Sequence, residues 1–408
     1  MPVFKQLQKR ASQLWLNPKF DWIVGGIFGT FLFFGFQHGD LLHTGTSSLA
    51  YGFGHILDFY DYNKTALGGC AYFPTTYMLF GIWNLPLTLT GLVTDSVMSY
   101  RWPIYWYKLL PLLAVVASGV VLFRIGRLIG LKAGSARAMT WFWVTSPILL
   151  FSQLVFGGYD SLTVFFILLG IYFALKDEFA RFALAFGAAI TLKYFAAFVF
   201  FPLLLLLEKR PLRVLGLAAL AALPLVLEYK VYKGSTAFIQ DVFGFGPAQR
   251  PFNNMGFPGI QLNLVLLLWG TICGLAYFVN PKNLAERAEW TFYLGLASLS
   301  VVFSQLAFHP QWILFLTQFL AVTTFMSGRF RAFLPLELAM MFFFVGFTAS
   351  GYPDNVDYQL LRNGAFGNWI GSFYVGEAAP RIAKYYPLAS EPWTYHYTFF
   401  VATLLIHL

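Results

Sequence analysis

Apolar runs recur along this chain with almost no charge inside them. The stretches 22–37, 105–124, 161–175, 214–230, 261–279, 291–307, 312–326 and 333–350 each carry at most two charged residues. A helix needs roughly 20 apolar residues to cross a bilayer, and most of these runs approach that length. Charged residues make up only 11% of the 408, whereas a soluble domain carries about 25%. A soluble chain of this size could not hide so much apolar surface, because single cores stop growing well before it. The pattern predicts an all-α polytopic membrane protein of about 11–13 transmembrane helices. It reads as one transmembrane domain over 1–408, with a long first outer loop, 38–104, that contains interfacial helices.

Basic residues orient the map. With the N-terminus inside, 17 of the 27 Lys and Arg fall on the cytoplasmic side. The net charge of +9 is explained by that bias, and no nucleic-acid partner is expected. Cys70 and Cys273 lie too far apart in sequence to suggest a disulfide framework or a metal cluster. No small-residue cleavage site follows the first apolar run, so it reads as a retained span. Two segments do not fit simple spans. Pro74 and Pro86 break 72–93, which is kept at the outer interface. The run 182–207 holds a single charge, Lys193, and is expected to form two short helices, 182–192 and 196–207, meeting at Lys193 and Tyr194.

Charges near the bilayer are costly unless paired, wet or used. Asp40 follows the first span and reads either as a helix-end cap or as a general base at the outer surface. Asp58 and Asp61 are competing carboxylates in the same loop, which also holds His43 and His55. Tyr159 and Asp160 open the run 161–175, where an Asp is also a good helix cap. Lys193 would meet either a phosphate or a buried Asp. Gln305, His309, Gln311 and Trp312 cluster where two spans meet, which suits phosphate and sugar hydroxyl contacts. Arg250, Asn253 and Asn254 sit in a Gly/Pro-rich outer loop. The chain has no Gly-rich phosphate loop ending in Lys-Ser/Thr, no His-Glu-x-x-His and no Gly-x-Ser-x-Gly, so ATP hydrolysis, zinc catalysis and serine-hydrolase chemistry are not expected.

On these residues the chain resembles the GT-C superfamily of integral-membrane glycosyltransferases, and within it the polyprenyl-phosphate-mannose-dependent mannosyltransferases. The resemblance rests on loose motifs spread over most of the chain. They are Gly39-Asp40 after the first span, Tyr72-Phe73-Pro74 through Leu85-Pro86, Ser152-Gln153 with Asp160-Ser161-Leu162, Gly187 to Lys193 followed by Pro202-Leu203-Leu204, and His309 with Gln311. Many members carry Asp-Glu where this chain has Gly39-Asp40, and Gln where it has Tyr159.

The resemblance implies an inverting transfer of a sugar, commonly mannose, from a polyprenyl-phosphate donor to a lipid-linked or glycan acceptor. Asp40 would be the general base, with Asp58 as the alternative. Lys193, His309 and Arg250 would meet the donor phosphate. Sugar and acceptor contacts would fall to His43, His55, Tyr159, Asp160, Tyr194, Gln305 and Gln311. No cofactor and no metal site is expected; a divalent metal is compatible with the reaction but not required. The expected location is a bacterial inner (plasma) membrane, with the site facing the periplasm or exterior. Two rivals share the midplane charges and broken helices. A secondary transporter or flippase should add internal pseudo-symmetry, which the sequence lacks. A lipid-diphosphate-dependent glycan ligase or polymerase would draw on Arg250, Arg362 and Arg381.

Overall fold

The structure is a computed structural model that describes residues 18–94, 102–244, 263–305, 310–328, 330–351, 365 and 392–408. These residues are helical, with no strand among them. The helices are α1 (Pro18–Gly35), α2 (Gly39–Gly52), α3 (Phe59–Leu67), α4 (Pro74–Leu89), α5 (Pro103–Leu128), α6 (Ala133–Val144), α7 (Ser161–Leu175), α8 (Phe179–Leu192), α9 (Phe195–Leu207), α10 (Pro211–Tyr232), α11 (Leu264–Phe278), α12 (Leu284–Gln305), α13 (Leu314–Met326), α14 (Phe330–Gly351) and α15 (Pro392–Ile406).

Apolar side chains cover much of the outside while polar ones are buried, the reverse of a water-soluble fold. Leu212 is 84% exposed, Phe278 78% and Ile27 70%. Inside lie Gln153, Asp160, Lys108 and Lys193, all nearly inaccessible. By length and composition α5 and α10 can each cross a membrane, and α6 with the following Pro147–Val155 segment forms a third candidate bent by 45°. The remaining apolar helices are shorter, as when breaks are tolerated inside a protein-lined region. An all-helical fold with apolar side chains turned outward is consistent with a helical membrane protein.

Several sequence expectations hold to within a few residues. The run 161–175 is α7, and the break at Lys193 and Tyr194 separates α8 from α9. Three details differ. Pro86 does not break 72–93: α4 runs through it, with Pro74 in its first turn, where a missing N–H costs nothing. The stretch near 138–152, which the apolar pattern reads as a further span, is not a continuous helix but is bent by 45°. Pro147 starts a new turn after α6, and Leu150–Val155 then winds as a π-helix. The segment 280–290 between the apolar runs 261–279 and 291–307, which the sequence map places on the cytoplasmic side, is helical from Leu284 onward, within α12.

Two layers matter for the site. The main core is built by α5 to α9 with α12 and α13, around Trp143, Phe182, Phe195, Phe200 and Phe315. Above one end sits a module of α2, α3 and α4. It is welded by an aromatic cluster of Phe59, Tyr60, Tyr77, Tyr232 and Phe238. Close helix approach is built in at Gly45, where a Cβ would fall 2.2 Å from the Tyr107 ring. Every residue from 38 to 94 thus belongs to a packed, mostly helical cap and not to a loose loop.

Candidate functional site

α1 ends at Gly35, and the chain turns through Phe36, Gln37 and His38 before α2 begins at Gly39. His38 is extended, and its Nδ1 accepts the Asp40 backbone N–H at 3.2 Å, so the imidazole caps α2. The ring is held by stacking on Phe156, with centroids 3.9 Å apart. Asp40 therefore stands in the first turn of α2, where the helix dipole favours a negative charge. Its side chain does not close that helix end. One carboxylate oxygen accepts from Gln311 Nε2 at 3.3 Å, the other lies 3.7 Å from His38 Nδ1, and 42% of the side chain is open.

Asp160 reaches the same region from another direction. After the π-helix, Gly157 adopts φ +76° and lets the chain fold back, and the Gly158 N–H donates to Ser152 O at 3.0 Å. A Cβ on Gly158 would lie 3.2 Å from Gln311 Cβ, so glycine allows the two segments to touch. Tyr159 and Asp160 follow at the start of α7. Asp160 makes no side-chain cap there. Its carboxylate instead pairs with Lys193 Nζ at 3.3 Å, both side chains being at most 5% exposed.

Lys193 comes from the break between α8 and α9. Its backbone is extended, and its N–H still donates to Ala189 O. The break aims the side chain inward. The ammonium lies 4.1 Å from the Tyr72 ring centroid, 5.0 Å from Trp312 and 5.6 Å from Tyr159. Rings attract a desolvated cation through their negative faces. Asp40 is near enough to act electrostatically on both Asp160 and Tyr72. Nearby helix ends hold buried polar groups without hydrogen-bond partners among the described residues: both amide atoms of Gln153, the Ser152 hydroxyl and Gln311 Oε1.

One side-chain cluster therefore brings together Asp40, Tyr159, Asp160, Lys193 and Gln311 from the expected set, with Asp40 its most open member. Others sit elsewhere. His55 and Asp58 pair at 2.8 Å, with His55 stacked on Tyr62. The His55 N–H donates to Ala50 O, ten residues along α2 from Asp40, which is about 15 Å of helix. The hydrogen bond from His55 holds the Asp58 carboxyl below its ordinary pKa. His43 Nε2 lies 3.4 Å from Leu67 O at the end of α3. Tyr194 packs on Phe195, and Gln305 donates to Ser304 at 3.4 Å. Arg250 and His309 lie outside the described residues.

Sequence reasoning placed Trp312 at this mouth with Gln311, but it gave no site role to His38 or Tyr72 and missed Lys108 altogether. The signal for Lys108 was available. Like Lys193, it is an isolated lysine in an apolar run, Tyr105-Trp-Tyr-Lys-Leu-Leu-Pro-Leu-Leu. Among the described residues no three His, Cys, Asp or Glu side chains gather as a metal-ligand set. The chain matches no protein-family model, no curated protein and no solved structure.

Proposed function

We propose that this chain is an inverting glycosyltransferase of the GT-C kind, moving a sugar, mannose first among candidates, from a polyprenyl-phosphate donor to a lipid-linked or glycan acceptor. The observation that carries the reading is the pairing of two tools in one cluster. A part-open carboxylate, Asp40, stands near a desolvated cation, Lys193, that is framed by aromatic rings. The first can accept a proton. The second can meet a phosphate. Aromatic rings between them suit the apolar face of a sugar.

In this reaction Asp40 removes the proton from the acceptor hydroxyl as its oxygen forms a bond to the anomeric carbon. The bond from that carbon to the phosphate oxygen breaks, and its electron pair leaves with the polyprenyl phosphate. Lys193 meets the growing charge on the phosphate, with Asp160 holding the ammonium in place. Gln311, bonded to Asp40, orients the base. The lipid tail would lie against outward apolar helix faces, in a plasma-membrane setting with the cluster on the exterior side.

The test is transfer of radiolabel from a panel of polyprenyl-phosphate sugars to membrane lipid extract, with wild type, Asp40→Asn and Asp58→Asn compared as folded protein. Transfer that Asp40→Asn abolishes and Asp58→Asn spares supports the reading and its base. Absence of transfer from every monophosphate donor overturns it.

A further inference from the structure

α5 crosses the fold beneath the cluster without contributing to it, yet one of its side chains binds more carbonyls than any cluster residue. Lys108 is 1% exposed. Its Nζ donates to Phe36 O at 2.7 Å, Phe33 O at 2.8 Å and Leu32 O at 3.4 Å, and lies 5.2 Å from the Phe33 ring centroid. It has no acidic partner within ion-pair distance among the described residues. Two of the carbonyls, Leu32 and Phe33, belong to the last turn of α1 and the third, Phe36, follows that helix directly; backbone acceptors there lack helical donors, and a cation meets the negative end of the helix dipole.

What those carbonyls lead to is the reason to look further. Only three residues separate Phe36 from Asp40, so Asp40 cannot stray far from wherever the end of α1 is held. The methylene stem of Lys108 also supports the opposite wall. A Cβ on Gly157 would lie 3.7 Å from Lys108 Cε and 3.4 Å from Leu41 Cδ2. The stem thus lies beside Gly157, the residue after Phe156, on which His38 stacks. Three residues further along α5, on the same face of the helix, Pro111 O accepts the Ser161 hydroxyl at 2.9 Å. Ser161 adjoins Asp160, the partner of Lys193.

We propose that Lys108 is a positioning residue: by gathering the C-terminal carbonyls of α1 it sets where the Asp40 carboxylate stands relative to the Asp160–Lys193 pair, with α5 as the common strut. The importance of the spacing to transfer rests on the glycosyltransferase reading. The placement of Asp40 does not.

The experiment uses the full chain in detergent or nanodiscs and measures two things. The first is the rate of carbodiimide labelling of Asp40, read by mass spectrometry, with the exposed Asp58 as internal reference. The second is the transfer assay, with kcat and KM separated. In Lys108→Met the Asp40 labelling rate, normalised to Asp58, should change at least threefold. In that variant kcat should fall tenfold or more, with KM within about twofold. Lys108→Arg, which keeps charge and donors, should recover part of both. An unchanged Asp40 rate in folded Lys108→Met overturns the proposal, whatever the activity. A changed rate alongside a wild type that transfers nothing keeps the positioning and removes the glycosyltransferase reading. Should Lys108→Met not yield folded protein, Lys108→Gln serves in its place: its amide is neutral, one bond shorter and carries two N–H groups, so it cannot hold all three carbonyls where the ammonium holds them. A shift in Asp40 labelling supports the proposal there too, and none overturns it.

Discussion

The two ends of α2 use the same kinds of residue for opposite purposes. At its C-terminal end the aromatic knot joins most of its polar groups to one another, while Glu228 Oε2 and Asn63 Oδ1 stay buried without hydrogen-bond partners among the described residues. Tyr60 donates to Tyr72 O, Tyr232 donates to Ile56 O and meets Tyr51, Ser235 donates to Asp61, Lys64 pairs with Asp241, and Glu228 accepts from Thr75. At the N-terminal end Asp40 is partly open, while Gln153, Ser152 and Gln311 keep buried atoms without partners among the described residues. Both ends therefore leave some buried hydrogen bonds unmade, which is costly in a low-dielectric interior. What distinguishes the N-terminal end is a carboxylate with 42% of its side chain open beside the buried Asp160–Lys193 pair. In the proposed function that end receives the ligand and the other is the mechanical half of the module.

The largest effect should come from the N-terminal end. Asp40→Asn keeps size and polarity but removes the base, and the rate of sugar transfer should drop by about 100- to 10,000-fold. Asp58→Asn should leave it within about twofold, since Asp58 serves the far end. Equal losses in both variants would erase the functional contrast between the ends.

The second effect separates the pair that joins the cluster from its neighbours. Lys193→Met leaves Asp160 buried without its cation, and removing one member of a buried pair typically costs about 3–5 kcal/mol. A large drop in the detergent melting temperature is expected. Lys193→Met with Asp160→Leu removes both charges and should recover most of it. Failure of the double variant to recover would mean that the pair is not the coupled unit its 3.3 Å separation indicates.

A third, smaller effect probes how tightly the module is seated. A methyl group at Gly45 would collide with the Tyr107 ring, and overpacking of this kind costs about 1–3 kcal/mol. Gly45→Ala should lower thermal stability by that amount. It should also reduce transfer, because α2 carries Asp40 at its start. Gly54, whose Cβ would meet nothing, has φ +94°, so Gly54→Ala tests backbone strain without a clash.

Much of the cluster was legible from the sequence because burial of charge is expensive. Asp40, Asp160 and Lys193 stand out as charges in apolar surroundings, and the break at Lys193 follows from one lysine dividing a 26-residue apolar run. What the sequence hid was direction. Asp160 looks like a helix cap in sequence, yet its carboxylate turns away to Lys193. His55 and Asp58 look as well placed as Asp40, until the length of α2 separates them. The π-helix at 150–155 has no sequence signature of its own, since it arises where Pro147 ends one register and Gly157 must begin another. Lys108 stood out as a lone charge in an apolar run, but its partners, backbone carbonyls, are announced by no side-chain pattern.

The smallest expected effect tests the C-terminal end by pH. The hydrogen bond from His55 lowers the Asp58 pKa in the folded protein. A lowered folded pKa means that the unfolded chain binds the proton more readily, so this contribution is fully present above the unfolded value, near 4. It is lost as pH falls through the folded value. Because the Asp58 side chain is 60% exposed, solvent screening keeps the effect small. The difference in melting temperature between wild type and Asp58→Asn should be slight at pH 6 and should shrink further below pH 4. The same scan on transfer should show no feature from Asp58, because His55 and Asp58 lie some ten residues of helix away from the base. A transfer profile that follows the Asp58 titration would join the two ends of α2 functionally and remove the division between them.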